Sequence, residues 1–187
     1  MKEDIKKYDI ITALFFIMLT IIFLILIFKN KKFFDWTFER HQNQISWYIR
    51  PLFIIPLCYF SFKKSFSGIF MTMFLLLTSM FWFPKPDIVN NQVSSFLQFE
   101  KEYLLGKWDL VKILFTLLIP LSLGMLCTAF WRKNVGFGMV VVITIALMKI
   151  LWSIMYGGEA GKSIIVPSIT GLIICMVIIV IYFKYRA

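Results

Sequence analysis

Six apolar runs bounded by clusters of charge constrain this chain more than any other feature. They cover residues 10–28, 45–62, 65–83, 110–131, 135–156 and 163–183. A helix rises 1.5 Å per residue, so roughly 20 apolar residues cross a hydrocarbon layer of ~30 Å. In lipid every backbone N–H and C=O must find its partner within the chain, which makes such runs helical. Hydrophobic residues are 60% of the 187 and charged residues only 16%, a balance that soluble domains do not carry. The expectation is an all-α polytopic membrane protein, one domain over 1–187, with six transmembrane helices.

The first run follows Lys6 and Lys7 and stops at Lys29-Asn30-Lys31-Lys32. It has no small-residue cleavage site and reads as an uncleaved span. Its Ile, Leu, Phe and Met side chains suit a lipid-facing position. In the second run Pro51 fits a first helical turn, while Pro56 is expected to kink the interior.

Small residues recur along three runs: Gly68, Thr72 and Ser79; then Thr116, Pro120, Gly124, Cys127 and Thr128; then Ser163, Pro167, Thr170, Gly171 and Cys175. Such stripes let membrane helices approach closely, so all three are expected to be internal seams. Between the third and fourth runs Val89, Val93, Phe96, Leu97, Glu100 and Leu104 recur at helical spacing, and Gly106 offers a stop. This predicts one interfacial amphipathic helix over 88–105, resting as a lid on the membrane face.

Lys plus Arg number 20 against 10 Asp plus Glu, a net charge of +10. The basic residues sit at the ends of runs, where they meet lipid phosphates and set orientation, so no nucleic-acid partner is expected. Lys63-Lys64, Arg132-Lys133, Lys184 and Arg186 favour both termini in the cytoplasm; Lys29, Lys31, Lys32 and Arg40 pull the other way. Cys58, Cys127 and Cys175 lie inside apolar runs, and His41 falls in a polar connector, so no metal or haem cofactor is expected.

The face opposite the termini collects most of the acidic residues together with Trp36, Trp47, Trp82, Trp108 and Trp152. Aromatic belts ordinarily occupy both interfaces, so the asymmetry points to a built site. Lys149 is the sharpest residue there, because a cation well inside a span costs ~2.5–3.5 kcal/mol on the lenient insertion scale. Trp152, Ser153 and Tyr156 follow at i+3, i+4 and i+7, giving one polar and aromatic helix face. Lys149 reads either as the cationic floor of a cavity for a carboxylate, phosphate or lipid headgroup, or as a lysine that snorkels or pairs with Glu100, Glu102 or Glu159. Arg50 can clamp the same anion or simply meet headgroups. Gly157 to Ser163 is one residue short of a phosphate-binding loop and follows a membrane helix, which excludes nucleotide hydrolysis. Its Lys162 beside a glycine-rich turn can still meet an anion, or the turn is a plain hairpin.

Three functions follow. The first is binding or translocation of a small anionic or amphiphilic, lipid-like molecule through a cavity lined by Lys149, Trp152, Ser153, Tyr156 and Arg50, with Glu100 and Lys162 contributing. The second is a membrane enzyme acting on lipid at that interface, with Glu100 or Glu102 as base, although no catalytic motif is present. The third is a non-catalytic scaffold or assembly subunit. Membrane lipids are partners in all three, and a helix-packing partner chain in the last.

Overall fold

A computed structural model describes residues 2–183, with side chains from Lys6 onward, and those residues form helices without a strand. Lys184 and Arg186, part of the orientation argument, lie outside the described residues. The helices are α1 (Lys2–Lys29), α2 (Lys31–His41), α3 (Ile45–Ile49), α4 (Ile54–Phe62), α5 (Phe66–Thr78), α6 (Asn91–Leu105), α7 (Leu110–Trp131), α8 (Val135–Gly161) and α9 (Ile165–Phe183). Tighter 3-10 turns occupy Arg50–Phe53, Ser79–Phe81 and Lys162–Ile164.

Among the described residues four helical runs are long and apolar enough to cross a membrane: Lys6–Lys29, Ile45–Phe62, Leu110–Trp131 and Val135–Phe183. The run Phe66–Phe81 is apolar but shorter. The 49 residues of Val135–Phe183 are two helices, because the chain reverses at Gly158 (φ 55°, ψ −134°) and α8 and α9 pack together. Only glycine adopts that conformation without strain. Gly161 closes the reversal, since a Cβ there would meet the Ser153 carbonyl.

Elsewhere local chemistry sets the breaks. Pro56 has no N–H for the carbonyl four residues back, and the irregularity appears in that preceding turn, at Arg50–Phe53. Two reversals use one device. Lys64 and Lys133 both take φ 59°, and Ser65 N and Asn134 N reach back to Phe60 O and Ala129 O at 3.0 and 2.9 Å. This is the closure of a Schellman motif. Ser65 and Asn134 then cap the following helices by accepting from Gly68 N and Phe137 N. The α1 carboxylate of Asp9 also accepts from Phe66 N at 2.9 Å and Ser67 N at 3.1 Å, tying α1 to the start of α5. Otherwise α1 shows most of its Ile, Leu and Phe outward and buries Ala13, Phe23 and Ile27.

Two of the small-residue stripes are internal. Gly68, Thr72 and Ser79 are buried, as are Pro167, Gly171 and Cys175, whose Sγ donates to Pro51 O at 3.3 Å. Most of the α7 stripe points away from the bundle: Pro120, Gly124 and Thr128 are exposed and nothing lies within 4 Å of a Cβ built at Gly124, while Thr116 is half-buried and Cys127 packs against the core. The opposite side of α7 carries the bulk, Leu126 and Phe130, and burying it leaves the small residues outside.

The buried side chains form two clusters. One, with Leu57, Leu126, Phe130, Ile179 and Phe183, lies near the two lysine turns. The other, with Phe34, Phe38, Trp47, Val93, Phe96 and Leu97, lies at the opposite end, under α2 and α6. α6 begins at an Asn90 cap and stops at Gly106, burying Val93, Phe96 and Leu97 as their spacing implied. The first connector, by contrast, is not a polar strap. Asn30 caps α2, whose Phe34, Thr37, Phe38 and His41 fall at i, i+3, i+4 and i+7 and are buried.

Candidate functional site

The polar groups at the α2–α6 end assemble around His41. The ring is buried between α2 and the start of the second run, with Trp47 Nε1 donating to its backbone carbonyl at 2.9 Å. Arg50 Nη1 lies 3.1 Å from His41 Nε2, and His41 Nδ1 lies 3.0 Å from Ser46 Oγ. Ser46 Oγ donates in turn to Asn43 O at 2.8 Å. Arginine only donates, and a carbonyl only accepts. Nε2 must therefore be bare and Nδ1 must carry the proton, so hydrogen bonds run one way from Arg50 through His41 and Ser46 to Asn43. Burial, then the positive charges of Arg50 and Lys149, hold the imidazole well below its usual range and keep it neutral. That polarity faces the basic nitrogen towards Arg50 and not towards Ser46, which leaves Ser46 without a base to make it a nucleophile.

Lys149 meets Glu100 at 3.0 Å, with 43% of the lysine side chain and 19% of the glutamate exposed. Its ammonium also sits 5.0 Å from the Trp152 ring centroid and 5.5 Å from that of Phe96. α6 supplies Glu100 because position 100 falls on the face that buries Val93, Phe96 and Leu97. Glu102 points outward and accepts from Gln98 Nε2 at 2.9 Å. The two carboxylates thus do not converge.

The remaining expected residues divide. Trp152 joins Phe99, Tyr103 and Tyr156 in a ring cluster. Ser153 is fully buried, and its Oγ has no hydrogen-bond partner among the described residues; Thr37 Oγ1 on α2 is in the same position. Lys162 pairs with Glu159 at 2.6 Å on the exposed hairpin, apart from the cluster. A cleft of about 280 Å³ opens beside the ring cluster, lined among others by Tyr103, Lys107, Lys112, Phe115 and Tyr156. Of the residues expected to line the binding cavity it takes in Tyr156 alone, and of the two candidate bases it takes in Glu102. Lys112 is buried in its wall, bonded to Gly106 O at 3.2 Å and lying 4.8 and 4.6 Å from the Tyr103 and Trp108 rings.

Sequence spacing brought Lys149, Arg50 and Glu100 forward but passed over His41, which joins Arg50 to the α2 helix. The signal was present in the run Phe34, Thr37, Phe38, His41, one apolar stripe ending on an imidazole.

Fold and site define an all-helical protein whose long apolar helices suit an integral, multi-pass membrane location, with a cationic cluster at one end of the bundle. No family model, curated protein or solved structure matches the chain.

Proposed function

We propose that the chain crosses the membrane six times, with both termini cytoplasmic, and binds or moves a small anionic or amphiphilic molecule at the α2–α6 end. Six crossings count Phe66–Phe81 as a short span and divide Val135–Phe183 in two. The lysine turns, rich in positive charge, then face the cytoplasm. One observation carries the functional reading. Glu100 is paired with Lys149 and reaches Arg50 only through its charge, while the hydrogen bond that Arg50 makes goes to a neutral imidazole. The cluster therefore holds one positive charge in excess at a boundary where an anion would balance it. A carboxylate, phosphate or sulfate group suits the remaining guanidinium donors. The cleft beside the ring cluster, where Tyr103, Phe115 and Tyr156 stand among Glu102, Lys107, Asp109 and Lys112, gives room for the remainder of an amphiphilic molecule.

Native mass spectrometry of the detergent-purified protein tests this. The expected result is an anionic molecule retained at fixed stoichiometry, lost in Arg50→Gln and weakened in Lys149→Ala while both variants stay folded. Retention unchanged in both folded variants overturns the reading.

A further inference from the structure

We infer that His41 is the positioning residue for Arg50, and that a proton taken up at its Nε2 releases the guanidinium, so that pH sets the occupancy of the anion site. This rests on Arg50 being the anion-holding group proposed above. The geometry supplies the switch. A neutral imidazole protonated at Nδ1 offers Arg50 its one free lone pair, 3.1 Å from Nη1. An imidazolium donates from both nitrogens and has nothing left to accept with. The bond from Nδ1 to Ser46 Oγ survives protonation, because Nδ1 donates in both states. The ring therefore keeps its seat, and the break falls on Arg50 alone.

The surrounding charges favour that outcome. Arg50 faces the ring from the second run, and Lys149 adds its field from α8. Glu100 of α6 is committed to Lys149. On α2 itself, Arg40 is bonded to Phe81 O at 2.7 Å, Glu39 pairs with Lys85 and Asp35 pairs with Lys101 of α6. No described carboxylate is bonded to the imidazole to stabilise its charged form, so the proton must displace a cation. A released Arg50 can turn towards Glu100, whose charge it already feels. The anion then loses its clamp on acidification.

The chain holds a single histidine, so nitrogen-15 histidine labelling gives one imidazole to read in detergent micelles, provided the protein is purified on a histidine-free tag. At neutral pH the expected spectrum shows Nδ1 protonated and Nε2 bare, with titration below the range of free imidazole. Arg50→Gln moves that titration upward, and Arg50→Lys, which keeps a cationic donor, largely restores it. Ser46→Ala, with Arg50 in place, weakens the preference for a protonated Nδ1. An Nε2-protonated ring, a free-imidazole titration, or a midpoint indifferent to Arg50→Gln overturns the positioning role.

Dodecyl phosphate is the probe for the coupling. Its binding is expected to weaken more steeply on acidification in the parent than in His41→Gln, whose amide oxygen accepts from Arg50 without titrating and leaves only the probe's own second phosphate proton to act. An equal fall in binding in the parent and in His41→Gln overturns the switch. If the imidazole behaves as expected while dodecyl phosphate binding ignores Arg50→Gln, the anion reading fails and the positioning role stands.

Discussion

Between about pH 7 and about pH 5, acidification should destabilise this protein through His41. His41 is buried beside two cations, so its folded form stays neutral well below the ordinary value of 6.5. The unfolded chain binds a proton near that ordinary value. Between the two, the unfolded state holds more protons, and stability must fall as pH falls. The slope approaches about 1.4 kcal/mol per pH unit. Integrating from about pH 7 to about pH 5, with the folded ring neutral throughout, gives a loss of about 2 kcal/mol. Stability is fully present above the ordinary value and levels off once pH reaches the lowered one. No second histidine exists to blur the window. The assay is urea unfolding in a nonionic detergent, followed by tryptophan fluorescence at a series of pH values. His41→Gln retains an acceptor for Arg50 without a titrating group, and its stability should vary little over the same interval. Equal slopes in parent and variant would refute the burial and charge argument outright.

Two further substitutions probe the packing. Glu100→Gln leaves Lys149 without its paired carboxylate and should cost about 1–3 kcal/mol, below the figure for a sealed pair because Lys149 is partly exposed. In a double-mutant cycle Lys149→Gln should recover part of that loss, and strict additivity would show that the pair contributes nothing. Among the glycines, Gly124→Ala meets open space in a helix interior and should gain about 0.5–1 kcal/mol. Gly161→Ala meets the Ser153 backbone, which cannot step aside as a side chain can, and should lose about 1–3 kcal/mol or more by thermal unfolding. Similar melting of the two variants would mean that the α8–α9 reversal is not closed at Gly161.

Apolar run length and the position of charge were enough to dictate an all-helical chain with membrane-length helices, because hydrocarbon leaves an unpaired backbone no alternative. The same local rules placed α6: Val93, Phe96 and Leu97 had to share a face, and position 100 had to follow them. Lys149 was visible for a similar reason, since a charge inside an apolar run needs a partner wherever the helix lies. Which acid would meet it was open among Glu100, Glu102 and Glu159, and only the docking of α6 against α8 chose Glu100. The α7 stripe shows the same limit, since small residues permit close approach but cannot say which side of a helix has a neighbour. His41 shows it most plainly. A lone imidazole between Arg40 and Gln42 looks like loop polarity, and its role arose when α2 folded down and the turn at Arg50–Phe53 swung a guanidinium onto its bare nitrogen. Periodicity is a property of neighbours along the chain, whereas the direction of a hydrogen bond is settled by residues that only folding brings together.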